Sequence, residues 1–158
     1  NLPKKYKMIK PSYQAIVKKD IPTVSIQNNT TLRVVAGKYN NIKGPANTYT
    51  EINIYDISSK EKENINLNFN IGTNTILLIM SGKLSIDNKN YEEKSILILD
   101  KENKMLSFQT SNNFKALILN GEPINEPIVT HGPFVMNSQQ EILTAIDDYQ
   151  NGSMENNI

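Results

Sequence analysis

The 158-residue sequence predicts an all-β chain: an antiparallel barrel or sandwich with one external helix near its end. Three observations carry that reading. Short β-branched and aliphatic runs recur through the middle of the chain, several alternate apolar with polar residues, and Gly, Asn and Lys/Glu turns break them up. An alternation of two puts successive side chains on opposite faces of a sheet, so a strand with one apolar set needs a second layer to cover it. Closure follows from the same logic, because an open sheet of this size would leave two template edges.

Residues 1–20 hold Pro3 and Pro11 and scatter Tyr6, Met8, Ile9, Tyr13, Ile16 and Val17 among lysines, which predicts an extended arm with a few anchors. Strands are predicted over 22–26, 31–37, 49–57, 65–69, 75–82, 83–87, 95–99, 105–109 and 114–121. Within 49–57, Tyr49, Glu51, Asn53, Tyr55 and Ile57 share one face, opposite Thr50, Ile52, Ile54 and Asp56. Within 65–69, Ile65, Leu67 and Phe69 alternate with Asn66 and Asn68. Each such strand is expected to have one dry and one wetter face. Residues 87–90 read as a hairpin turn, and Gly37, Gly72, Gly82 and Gly121 fall at strand ends, where a bulge, corner or left-handed turn is needed.

The segment 120–137 is the most distinctive. It carries Pro123, Pro127 and Pro133 yet stays apolar at Ile124, Ile128, Val129, Phe134, Val135 and Met136. Such a loop must lie against the outside of the barrel or a neighbouring domain, since leaving it in water forfeits the burial energy of each side chain. A helix follows over 138–151: Asn137 reads as its cap, Gln140 takes the reciprocal capping-box position, and Glu141 suits the positive first turn. Ile142, Ala145, Ile146 and Tyr149 make one apolar stripe, and Gly152 is placed to end the helix in a left-handed turn. Residues 153–158 are expected to fray. The organisation is thus an arm (1–20), a barrel (21–121), and a crossing segment with its helix (122–158); the length suits one core of this kind, not two.

Apolar residues make up 38% of the chain, and asparagine is abundant, a bias that reads as compositional rather than chemical. Seventeen basic and sixteen acidic residues leave a net charge of +1 with the signs intermixed. Nucleic-acid binding needs a one-signed patch, and the short cluster Lys4, Lys5, Lys7 and Lys10 reads instead as a solvated edge. With no cysteine there is no disulfide and no pointer to an oxidising compartment. The longest apolar run, 76–80, is far too short to span a bilayer, and no charged-then-apolar leader is visible from Asn1. A soluble cytoplasmic protein, touching neither membrane nor nucleic acid, is the expectation.

Barrels of this shape often enclose a metal held by imidazole, thiolate and carboxylate from neighbouring strands. Here His131 is the sole histidine, it lies beyond the last predicted strand, and the positions where ligands would sit carry Asn68, Asn70 and Thr75. No metal and no other cofactor is therefore expected. As a general base His131 would need a nucleophile and an orienting carboxylate; Ser138, Glu122 and Glu126 are near in sequence, but no nucleophile elbow is formed. The simpler reading is that His131 satisfies a backbone group in the turn before Pro133 or joins a contact surface. Glu51, Asp56, Asp87 and Glu92 show no acid–base pairing, and Asp56 and Asp87 read as turn residues. Gly37, Gly44 and Gly72 do not precede a helix, so no phosphate loop is present. Tyr6, Tyr13, Tyr49, Tyr55, Tyr91 and Tyr149 read as semi-buried packing. No catalytic residue is assigned.

The run GEPINEPIVTHGPFVMNSQQEILTAIDDYQNG (121–152), with its Gly-Glu-Pro, Glu-Pro-Ile and Gly-Pro-Phe-Val-Met-Asn ahead of the helix, resembles the closing segment of pirin proteins. The opening NLPKKYKMIKPSYQ (1–14) is similar to the start of their second half. The resemblance spans essentially the whole chain, is specific at both ends and loose in the strands between, and matches the carboxy-terminal half of a pirin. It implies a cupin-type fold, the double-stranded β-helix. Pirins are bicupins, with iron held by three histidines and a glutamate in the amino-terminal barrel, where some members oxidise quercetin; the second barrel lacks the ligands. No position here can receive those four residues, so the resemblance implies no metal site in this chain, and the nuclear transcription-cofactor role of eukaryotic members does not transfer either. It implies a stand-alone or excised second half, or one whose first barrel is a separate chain. Either way Tyr6, Met8, Phe134, Val135 and Met136 are expected to meet an apolar partner, by wrapping back, in a homo-oligomer or on a first-barrel chain. The function expected is a non-catalytic scaffold or protein-interaction module. The alternatives are one half of a quercetinase-like dioxygenase whose metal lies elsewhere, and a small-molecule-binding barrel without chemistry.

Overall fold

A computed structural model describes residues 1–102 and 104–154. The described chain divides into two compact units: Ala15–Pro123, and Asn1–Gln14 together with the described residues from Ile124 onward.

In the larger unit all nine predicted strands form. In chain order they and their short companions are β1 (Thr23–Gln27), β2 (Thr30–Ala36), β3 (Lys38–Tyr39), β4 (Ile42–Lys43), β5 (Ile52–Ser59), β6 (Asn64–Asn68) and β7 (Asn74–Ser81). β8 (Leu84–Ile86), β9 (Lys89–Tyr91), β10 (Ile96–Leu99), β11 (Met105–Thr110) and β12 (Phe114–Gly121) follow. A six-stranded sheet in the order β1-β2-β5-β12-β7-β10 faces a four-stranded sheet in the order β6-β11-β8-β9, and every ladder in both is antiparallel. The first sheet sends Leu32, Val34, Tyr55, Ile57, Leu77, Ile79, Ala116 and Ile118 into the core; the second sends Ile65, Leu67, Leu84, Leu106 and Phe108, with Phe69 joining them just past the end of β6. This is the dry face the alternation requires.

The outer face of the six-stranded sheet departs from expectation. Ile76, Leu78 and Met80 on β7, Ile96 and Ile98 on β10, and Leu117 and Leu119 on β12 alternate with the buried set yet are themselves apolar. β10 and the middle stretches of β7 and β12 are therefore continuous hydrophobic runs without the polar alternation of β6. Other details also shift. Asp56 is no turn residue but sits inside β5, where its Oδ2 lies 3.1 Å from Nη1 of Arg33 across the β2 ladder. The 87–90 hairpin turns on two residues only, Asp87 and Asn88, both in the left-handed region as a tight two-residue turn between twisted strands demands.

One end of the sandwich is clasped by Glu63. Its carboxylate accepts from the Thr30 hydroxyl and, at 2.8 Å, from the Asn29 amide; the Glu63 amide donates to Thr110 Oγ1 at 3.1 Å. The opposite end, where β2, β6 and β12 finish and β5, β7 and β11 begin, stays open.

In the smaller unit the arm is not uniformly extended: Lys4–Tyr6 forms a 3₁₀ turn. The crossing segment contains a hairpin that sequence did not predict, β13 (Val129–His131) and β14 (Phe134–Met136), and leads into the helix α1 (Gln139–Gln150). Ser138, not Asn137, caps that helix, accepting from the Glu141 amide at 3.3 Å. Glu141, not Gln140, reaches back to accept from the Asn137 amide at 2.9 Å. The Ser138–Glu141 pair thus makes one bond of a capping box, while the return bond to the Glu141 carboxylate comes from the residue before the cap. At the other end Gly152, with φ 64°, terminates the helix as expected: Ser153 N donates to Asp148 O and Gly152 N to Tyr149 O, the paired bonds of a Schellman turn.

Candidate functional site

The open end of the barrel holds a cavity of about 430 Å³. Its floor is aromatic. Tyr55, inward on β5, stacks on Phe69 with ring centroids 6.2 Å apart, and Tyr39 meets it edge-on at 5.9 Å. The Tyr55 hydroxyl donates to the Lys38 carbonyl at 2.6 Å, and burial pushes its pKa up to about 12, with the neighbouring Tyr39 and Glu51 adding to the shift. The phenol is thus neutral at physiological pH.

Beside this floor three strands place polar residues in one cross-strand row: Asn53 on β5, Asn120 on β12 and Thr75 on β7 are register partners. Burying amides and hydroxyls is costly unless each finds a partner, and here they pair with one another. Lys38 N donates to Asn53 Oδ1 (3.1 Å), and Asn53 Nδ2 to Asn120 Oδ1 (3.0 Å). Asn120 Nδ2 reaches Thr73 and Thr75 Oγ1 (both 2.8 Å), and the Thr73 hydroxyl donates to Asn70 O (2.7 Å). The chain of bonds ties the two rims of the opening together. Gly37, with φ 74°, makes it possible, because a Cβ there would collide with Asn53 Oδ1 and the Ile52 carbonyl.

The rim is formed by β3 and β4, which fold back through a turn at Asn40 (φ 51°), and by Glu51, Asn68 and Asn70. Lys38 and Lys43 are direct register partners and both line the cavity. Among the described residues neither ammonium group forms an ion pair.

The predicted site residues fall elsewhere or play other parts. Asn68 and Asn70 are exposed at the rim and Thr75 is buried beneath it. His131 is on β13 of the smaller unit rather than in the turn before Pro133, with its side chain exposed. Met8, Phe134, Val135 and Met136 line a second, mainly apolar cavity of about 650 Å³ in that same smaller unit; Tyr6 is half-buried nearby in sequence but is not one of its lining residues. Lys7 Nζ donates to the Val135 carbonyl (3.0 Å), and Lys4 Nζ stands 2.9 Å from Glu141 Oε1. Of the tyrosines, Tyr55 is buried, whereas Tyr13 and Tyr149 are exposed, Tyr149 with its ring edge toward Phe134. Sequence reasoning missed Asn120 and Tyr39 altogether. The signal for Asn120 was available: in 114–121 it follows Phe114, Ala116 and Ile118 at a spacing of two, so it had to face inward.

The iron tied to the family's metal-bearing barrel does not fit these residues. The inward groups at the opening are amides, hydroxyls and rings, and among the described residues no three His, Cys, Asp or Glu side chains converge.

A facing pair of antiparallel sheets open at one end, with helix and hairpin after the last barrel strand, defines a cupin-type β-sandwich. The Pirin C-terminal cupin domain matches residues 54–155, and the chain belongs to the pirin family. It is 35% identical, over 96% of its own length and 54% of the relative's, to a Pseudomonas aeruginosa protein named "Putative quercetin 2,3-dioxygenase". It is 32% identical to Pirin-1 of Arabidopsis thaliana, over 96% of this chain and 54% of that one. The crystal structure of quercetin 2,3-dioxygenase from Acinetobacter baumannii superposes with a TM-score of 0.89 at 36% identity, covering 98% of this chain and 54% of that protein. The chain thus spans about half the length of the relatives it matches.

Proposed function

We propose that this chain serves as the metal-free cupin of a pirin-type two-barrel protein, a scaffold and interaction module rather than the seat of chemistry. The observation that carries this reading is the make-up of the barrel opening. Where a metal-dependent barrel needs convergent imidazole and carboxylate, Asn53, Asn120, Thr73 and Thr75 spend their polar atoms on one another. Any dioxygenase activity of the kind named in its relatives then resides in the other half of those longer proteins, on another domain or another chain. Tyr6, Met8, Phe134, Val135 and Met136 offer the apolar surface for that first barrel or for a second copy.

Elemental analysis of the purified chain, after incubation with iron, zinc, copper and nickel salts, tests the reading. Substoichiometric metal throughout, with no turnover of quercetin, is expected. One tightly held ion per chain would overturn it. Light scattering behind a sizing column, with and without a histidine-bearing pirin first barrel, distinguishes self-association from partner binding.

A further inference from the structure

We propose that the open end of the barrel binds a small hydroxylated carboxylate built on a six-membered ring. The argument begins with an electrostatic cost. Lys38 and Lys43 face each other directly across the shortest of ladders, two residues on each side. Like charges opposite one another on a sheet are destabilising, and no carboxylate among the described residues neutralises either one; Glu51 shares the rim but is not paired with them. An anion seated between the two ammonium groups removes that repulsion. The rest of the cavity complements the body of such a ligand. The Tyr55–Phe69 stack gives it a flat apolar wall, and the exposed amides of Asn68 and Asn70 give hydroxyl groups donors and acceptors. Tyr55, neutral and with its proton committed to Lys38 O, adds no competing negative charge. A volume of about 430 Å³ suits one ring with its substituents. This function is separate from the scaffold reading above, which concerns metal and partner binding.

The ring has two chemical sources, an aromatic hydroxy acid or a sugar acid, and a titration of the full ¹⁵N-labelled chain separates them. 3,4-Dihydroxybenzoate and D-glucuronate are the probes, with catechol and methyl glucoside as their uncharged counterparts. At least one acid is expected to shift the Lys38, Lys43 and Asn53 resonances and to bind at least about tenfold more tightly than its neutral counterpart, the scale expected when two cations face one anion near a surface. The acid that binds identifies the source. The Lys38→Ala/Lys43→Ala variant, altered only at exposed side chains, is expected to lose about tenfold in affinity, and Lys43→Gln to raise the melting temperature of the free chain. The proposal is overturned if neither acid perturbs these resonances up to about 10 mM, beyond the range of even weak specific binding. Binding that survives the double lysine variant unchanged would equally overturn it.

Discussion

The Tyr55 hydroxyl donates to the Lys38 carbonyl while its ring packs between Tyr39 and Phe69, so one side chain serves both the core and the rim. Its ionisation is coupled to folding. In the unfolded chain the phenol loses its proton near the ordinary value of 10.0, whereas in the folded barrel it keeps it to about 12. The stabilisation is fully present below pH 10 and is lost as pH rises through the folded value. Ultraviolet titration is expected to show one tyrosinate appearing only near that upper limit. Tyr55→Phe abolishes that late step and costs about 1 kcal/mol at neutral pH, the net worth of one hydrogen bond. Asparagine carries a second lesson at this scale. Asn40, Asn88, Asn113 and Asn125 all adopt positive φ, a region their short polar side chains tolerate better than most. A bias that reads as compositional therefore does conformational work at these four turns.

At the scale of elements, β10 displays the consequences of a period of two. Leu97 is 8% exposed and faces the core, while its neighbour Ile98 is 82% exposed on the outer face. Leu97→Ala is expected to cost about 2–5 kcal/mol, the range for emptying a packed position, and Ile98→Thr to stay within about 0.5 kcal/mol. Urea denaturation of the two variants checks this; reversed costs would mean that β10 pairs with β7 one residue out of register. The α1 cap shows where local reading loses precision. Asn137 and Ser138 are both good capping residues, and the choice between them goes with whether the Gln140 amide or the Glu141 carboxylate reaches back. It is Glu141 that reaches back, and its other oxygen meets Lys4 from the arm, a contact between residues distant in sequence.

At the scale of the whole molecule, the smaller unit carries a tie between arm and helix that depends on pH. Lys4 beside Glu141 holds that carboxyl below its ordinary value, with the Asn137 amide adding to the effect. A depressed carboxylate stabilises the fold above its unfolded pKa, and the contribution disappears as pH falls through the depressed one. Acidification is therefore expected to perturb the amide signals of the arm and α1 as Glu141 takes up its proton. Lys4→Ala is expected to move the Glu141 titration back up toward the ordinary glutamate value, read directly by carboxyl NMR.

The strands, their inward faces and the terminal helix were all legible in the sequence, because each depends on spacing or residue type within a few positions. The pirin resemblance was legible too, from the motifs at either end. The barrel opening was not: Asn53, Thr75 and Asn120 belong to different strands, and only their shared register makes one polar row of them, which the Lys38 backbone amide then joins. Two-residue strands such as β3 and β4 leave no periodic signal, so the facing lysines lay in a stretch with no predicted element. Likewise His131 was placed in a turn because β13 and β14 are too short to announce a hairpin. Local chemistry alone determined what kind of fold this chain makes and supplied it with a single imidazole. Tertiary structure alone decided which amides, rings and ammonium groups meet at the open end, since that requires strands many residues apart to be brought into one register by the core they bury together.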